Sequence, residues 1–349
     1  MEILPILEAK NSPKPNLWYA LSPEGEGPCI RVGHTCTYFA EGQERNQQRR
    51  VMVIGGANPD GSFADVHVLS LDKFLWSCPE WEGFSSRYEH SAFIPSCCQN
   101  KVYVFGGAQQ ATNLNDVQAL DLEKGCWKAV KTSGSSPSPR TCHSMASVGN
   151  KLYIFGGGLN GPDPVPDTTV HVFDAEDNCW NQPEVTGHPP CSRHGHVSVA
   201  IGTDIYIHGG MSGRDMFNDL YRFNTDNLSW SKLETSGEAP SSRTAHAAAC
   251  VGKLIYIHGG MSSVGAALDD LYSLNTEELK WTKHATDGPN PAPRLDHTLC
   301  TVELLVSKDN DESLSVEADS LSTLLMFGGM DTQGEIFNDC LVLLPVAGQ

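Results

Sequence analysis

RHGHVSVAIGTDIYIHGGMSGRDMFNDLYRFNTDNLSW, residues Arg193 to Trp230, decides the fold. Arg193-x-x-His196 leads into an apolar run, Val197 to Ile201. An alternating segment, Ile205-Tyr-Ile-His208, stops at Gly209-Gly210. A loop then reaches Asn218-Asp219 and a third apolar segment, Leu220 to Phe223, and a turn delivers Trp230 on a fourth. Short apolar segments separated by Gly, Asn and Asp read as strands joined by turns. Four strands in one sheet leave an apolar face and unpaired edges, so the sheet requires neighbours.

The neighbours are in the sequence. Arg-x-x-His recurs at Arg31, Arg87, Arg140, Arg193, Arg243 and Arg294. Diglycines fall at Gly55-Gly56, Gly106-Gly107, Gly156-Gly157, Gly209-Gly210, Gly259-Gly260 and Gly328-Gly329. An acid opens each third strand: Asp65, Asp116, Asp167, Asp219, Asp270 and Asp339. Trp76, Trp127, Trp180, Trp230 and Trp281 mark the fourth strands. The steps from Arg to Arg are 56, 53, 53, 50 and 51 residues. A period near fifty with these marks predicts an all-β fold, a six-bladed β-propeller with four antiparallel strands per blade.

The last unit, from Arg294 to Pro345, lacks its tryptophan strand. Trp18 supplies it: Trp18 stands 13 residues before Arg31, the same distance that separates Trp127, Trp180, Trp230 and Trp281 from their arginines. The segment Asn16–Leu21 is therefore expected to complete the sixth blade as its outermost strand and close the ring. The expected organisation is a loose leader over 1–15, one propeller over 16–345 and a tail over 346–349. Within the last blade, 307–320 (SKDNDESLSVEADS) reads as an acidic, disordered insertion. It is either a tolerated loop or a segment regulated by serine phosphorylation.

Composition narrows the function classes. The formal charge of −18 disfavours a nucleic-acid backbone or an anionic membrane as the main partner. No apolar run approaches the roughly 18 residues that span a bilayer, and MEILPILEAKNSPKP does not read as a secretory signal. Membrane attachment is expected only through a partner. The 12 cysteines contain no C-x-x-C pair, and Cys36, Cys142, Cys250 and Cys300 fall in expected first strands, so reduced cytosolic thiols are expected.

The Arg-x-x-His, diglycine, Asn/Asp-Asp and Trp marks together resemble the kelch-repeat family. The chain is similar in particular to the Rab-effector members of that family, in stretches such as Leu4-Pro-x-Leu7, Arg31-Val-Gly-His34, Val53-Ile-Gly-Gly-Ala-Asn-Pro59, Arg87-Tyr-Glu-His90 and Arg294-Leu-Asp-His297. The resemblance implies a cytosolic effector of a GTP-loaded late-endosomal Rab GTPase, associated peripherally with endosomes and acting in transport to the trans-Golgi. A phosphoinositide kinase or another trafficking protein is a further implied partner. The alternative is a kelch scaffold in another pathway, as a nuclear cofactor or ligase adaptor.

No catalytic constellation is expected, and no cofactor. Asp163-x-x-x-Asp167-x-x-x-His171 resembles the iron motif of plant specifier kelch proteins, but the first position is Asp where that motif has Glu. The six repeat histidines read as structural, since one active site would need such a residue once. Candidate protein-binding residues lie on the face that carries the strand two–three loops and the linkers between blades. Arg31, Arg87, Arg140, Arg193, Arg243 and Arg294 are either internal braces or a basic ring that receives an acidic segment. Phe63, Met211, Met216, Phe217, Met261 and Phe337 add apolar contact at the rim.

Overall fold

The computed structural model describes residues 3–41, 48–110, 112–307 and 318–346. Among these there is no helix, and so none long and apolar enough to cross a membrane. The chain forms a six-bladed propeller. Blade four shows the unit: Val197–Ile201, Asp204–His208, Leu220–Asn224 and Ser229–Leu233 pair antiparallel in sequence order. The first strands of the other blades begin at Thr35, Ser91, Ser144, Ala247 and Thr298. Each first strand touches the first strands of both neighbouring blades, which closes the inner ring.

The chain ends close the ring as the Trp18 spacing predicts. Trp18–Leu21 pairs antiparallel with Cys340–Leu343, with Trp18 opposite Leu343 and Leu21 opposite Cys340. Part of the leader is paired. Ile6–Leu7 adds a fifth strand, parallel to Trp18–Leu21, because Leu7 buries its side chain with Tyr19, Leu21 and Val342. The acidic insertion is also narrower than expected. The first two strands of blade six run long, Thr298–Ser307 and Ala318–Phe327, and pair to the Ser307–Ala318 rung, since Leu304 and Val306 are buried. The remainder of that insertion, 308–317, lies outside the described residues, and with it the phosphorylation reading of Ser313 and Ser315.

One buried apolar cluster fills each cleft between blades. Each fourth-strand tryptophan packs toward the residue that precedes the diglycine of the blade before: Trp180 on Phe105, Trp230 on Phe155, Trp76 on Phe327, Trp281 on His208 and Trp18 on His258. Trp127 meets Ile54 in the corresponding cleft, with Phe84 beside it.

Each linker between blades edges the next sheet. Glu24–Gly25, Ser133–Gly134 and Ser236–Gly237 pair parallel with the strands of Trp76, Trp180 and Trp281, and single bridges join Glu82 to Cys126 and Thr186 to Ser229. The glycine at this point stands seven residues after a tryptophan in every unit: Gly25, Gly83, Gly134, Gly187, Gly237 and Gly288. At Gly134 the backbone has φ +75°, and a Cβ would lie 2.0 Å from the Trp180 carbonyl oxygen. Only a residue without a side chain allows that approach.

Candidate functional site at the channel mouth

Strands two and three are joined on the same face as strands four and one, so six loops and six linkers surround one mouth of the central channel. The repeat arginines hold that face together. Each is at most 1% exposed. Arg193 shows the pattern: Nη1 donates 2.9 Å to the Gly209 carbonyl, Nε donates to the Cys191 carbonyl, and Nη1 and Nη2 donate 2.6 and 3.1 Å to the two Asp219 oxygens. Arg31–Asp65, Arg87–Asp116, Arg243–Asp270 and Arg294–Asp339 repeat the two-pronged pairing. Arg140 has a single 2.7 Å bond to Asp167, whose carboxylate is shared with His171 and the Thr169 amide. Partial burial alone would raise the Asp65 and Asp167 carboxyls, but hydrogen bonds from Arg31 and His67, and from His171 and Arg140, hold both well below the usual range.

The arginines are therefore braces, and the exposed basic ring is not formed. Each guanidinium is buried and neutralised by its own aspartate, so none is left to receive an acidic segment. Breaking such a pair by removing one partner costs about 3–5 kcal/mol, because the other charge stays buried. The rim residues divide in the same way. Phe63, Phe217 and Phe337 are half-buried and lie 4.2, 4.2 and 4.4 Å from the guanidinium carbons of Arg31, Arg193 and Arg294. Met216 pairs with Met211 across a loop hairpin, while Met211 and Met261 line the mouth. The three residues of the iron-like motif do not gather. Asp167 is engaged by Arg140 and His171, Asp163 lies in a separate loop hairpin, and His171 Nδ1 faces Gln182. Among the described residues no group of three or more His, Cys, Asp or Glu is placed to hold a metal ion.

The repeat histidines form an inter-blade belt. His34 Nε2 lies 3.0 Å from the Thr298 hydroxyl and His90 Nε2 lies 3.2 Å from Thr35. His143 and His196 meet the hydroxyls of Ser91 and Ser144. In each case the hydroxyl follows the repeat histidine of the preceding blade. Val197 and Ala247 occupy that position in blades four and five. There His208 and His258 take over, presenting Nδ1 to Nε2 of His246 and His297 at 3.2 and 3.1 Å. Burial, then the nearby arginine charge, pushes His34, His143, His208 and His258 down to about 3, so the belt is neutral.

The residue before each repeat histidine rims the channel itself: Gly33, Glu89, Cys142, Gly195, Ala245 and Asp296. All six have φ between 44 and 64°. Backbone bonds pass from blade to blade along this rim, Glu89 to Gly33, Gly195 to Cys142, Ala245 to Gly195 and Asp296 to Ala245. Cys142 thus stands at the mouth, not in a first strand as expected; Cys36, Cys250 and Cys300 do lie in first strands. All 12 cysteines are free thiols. Within the rim is a cavity of about 320 Å³ lined by the six repeat histidines, Glu89 and Asp296. It runs into a groove of about 940 Å³ between blades two and three, with Glu89, Cys142 and His194 shared by both. The arrangement offers shape and charge for binding another molecule.

Comparison with known proteins places this architecture. The family model for the KLHDC2/KLHL20/DRC7 Kelch-repeats domain matches residues 44–163 and 143–307. A mouse protein named Rab9 effector protein with kelch motifs is 47% identical over 98% of this chain and 97% of its own length. The rat protein of that name is also 47% identical, over 98% of this chain and 99% of its own. The zebrafish protein is 45% identical over the same shares.

Proposed function

This chain belongs to the kelch-repeat family, and from that premise we propose that it is a non-catalytic binding module acting as an effector of a GTP-loaded Rab GTPase. The observation that carries this reading is the 47% identity, across nearly the whole of both chains, to relatives named for Rab9. The aligned region covers 98% of this chain, and so takes in all six blades and not one part of the scaffold. The geometry agrees: the repeated charged residues are consumed in braces, and the mouth and its groove are concave surfaces lined for binding.

In this reading the protein is cytoplasmic and reaches late endosomes through the Rab, in transport from endosomes to the trans-Golgi. A body of charge −18 gains nothing from an anionic membrane surface, so recruitment rests on the GTPase. A phosphoinositide kinase or other trafficking protein is then a second partner. Imaging the tagged chain in cells that express GTP-locked or GDP-locked Rab9 tests this reading. Endosomal recruitment with the GTP-locked form alone is expected. A diffuse distribution in both would contradict it.

A further inference from the structure

The outer edge of blade six carries a strand that the repeat does not supply. In blades one to five the residues two and three after the fourth-strand tryptophan have no outer partner strand among the described residues. In blade six those residues are Ala20 and Leu21, and Ile6 and Leu7 pair with them in parallel. The Ala20 amide donates 2.8 Å to the Pro5 carbonyl. Five blades hold their place in the ring without such a strand, so this one is a segment bound to the edge of a complete sheet.

The seated segment shows what the edge recognises. Leu7 is buried in the cleft between blades six and one, beside Tyr19, Leu21 and Val342. Leu4 packs into the opposite cleft, between blades five and six, against the cluster that holds Trp18 and Leu343. Successive side chains of a strand point to opposite faces, so leucines three apart place one in each cleft. The main chain supplies the other bonds, which call for no particular side chain.

Separate features mark the attachment as exchangeable. The pairing has two rungs only. Ile3 and Ile6, the other large apolar side chains of residues 3–7, are 89% and 64% exposed. The return to Trp18 passes through Lys10 and Asn16 at φ +70° and +61°, a region that disfavours residues with a side chain. The Lys10 carbonyl accepts 3.0 Å from the Ser307 amide, so the leader also touches the base of the long hairpin of its own blade.

We propose that the outer edge of blade six is a docking site for an extended segment of a partner protein with two leucines three residues apart, and that in the free chain the leader occupies this site in the partner's place. The connection over 8–17 keeps the leader beside its site at an effective concentration on the order of millimolar. A partner segment therefore competes with Leu4–Leu7, and its docking releases the leader. The site lies on the side wall of the ring, away from the channel mouth, and its test contains no GTPase.

The experiment is fluorescence anisotropy of the full chain with a labelled peptide of residues 3–10, ILPILEAK. Leu4→Asp with Leu7→Asp frees the leader and leaves Trp18–Leu21 intact. This variant is expected to bind the peptide at least about tenfold more tightly than the unaltered chain, whose edge is filled by its tethered leader. The peptide carrying Leu7→Asp should bind neither chain. No binding to the freed variant, equal affinity for the two chains, or undiminished binding of the altered peptide would overturn the proposal. Light scattering of the unaltered chain is expected to show a monomer. A concentration-dependent dimer abolished by Leu7→Asp would make a second copy the occupant and overturn the partner assignment. Should the freed variant fail to fold, hydrogen exchange of the unaltered chain decides. The Ala20 amide is expected to exchange at least about a hundredfold faster than those of Tyr19 and Leu21, which lie on the Val342 and Cys340 side of the strand. Equal protection of all three would mean that the leader leaves only when the whole fold opens, and would overturn the proposal.

Discussion

His246 Nε2 lies 3.2 Å from His208 Nδ1, in the place where four other blades put a serine or threonine hydroxyl. The two sequence changes belong together. Val197 removes the hydroxyl from blade four, and His208, standing where other blades carry Phe or Ile, restores a polar partner. His208 still packs with Trp281 at 5.4 Å, as Phe155 does with Trp230. Blade five repeats the exchange with Ala247, His258 and His297.

His208→Phe is expected to destabilise the protein by about 1–3 kcal/mol, the cost of a buried polar atom left unpaired. Adding Val197→Ser should recover most of that loss, by rebuilding the hydroxyl contact of blades two and three. Urea denaturation of the two variants reads this directly. No recovery in the double variant would show that His208 acts through packing alone.

Gly134→Ala should cost well over the roughly 1 kcal/mol of an unstrained change at positive φ, since its Cβ would meet the Trp180 carbonyl at 2.0 Å. Gly161, at φ +56° with nothing within 4 Å of where a Cβ would stand, is the control. Similar denaturation midpoints for the two variants would contradict the edge-pairing role of the linkers.

Closure depends on a short segment far from the strand it joins. Trp18 is fully buried, and Trp18→Ala is expected to cost about 3–5 kcal/mol. Removing residues 1–21 should abolish a single cooperative thermal transition, because Cys340–Leu343 loses its partner strand and the clefts on both sides open. A shortened chain with an unchanged melting curve would contradict the closed ring.

Stability should fall as the solution is acidified below about pH 6.5. The buried histidines bind protons less readily in the folded chain than in the unfolded one, where their ordinary value is 6.5. Their contribution is complete above that value and is lost as pH falls toward about 3. Asp296 works in the opposite sense: with its carboxyl raised to about 7, its burden on the fold grows from about pH 4 to 7 and is relieved by acid. Eight histidines of the belt outweigh one carboxyl, so guanidinium midpoints measured from pH 7 to 4 should decline.

The repeat made the blades and the closing strand readable, because each mark recurs at nearly constant spacing. What escaped was relational. The Arg and Asp marks were each visible, but their pairing inside one blade, which removes the arginines from the surface, required the third strand to be placed beside the first turn. Glu89 and Asp296 belong to a variable position of the repeat and become a pair only when the ring brings blades two and six to either side of Gly33. The glycine seven residues after each fourth-strand tryptophan was present in all six units and could have been found by spacing alone. Leu7 and the long hairpin of blade six depend on burial in the cleft between the chain ends, which no local pattern of Pro or Ser conveys.

The most direct measurement is a calorimetric titration of the purified chain with Rab9 loaded with a non-hydrolysable GTP analogue and, separately, with GDP. An effector distinguishes the two by its contacts with the switch segments that the γ-phosphate orders, so binding at least about tenfold tighter to the GTP form is expected. Equal affinity for both forms, or no heat with either, would contradict the assignment.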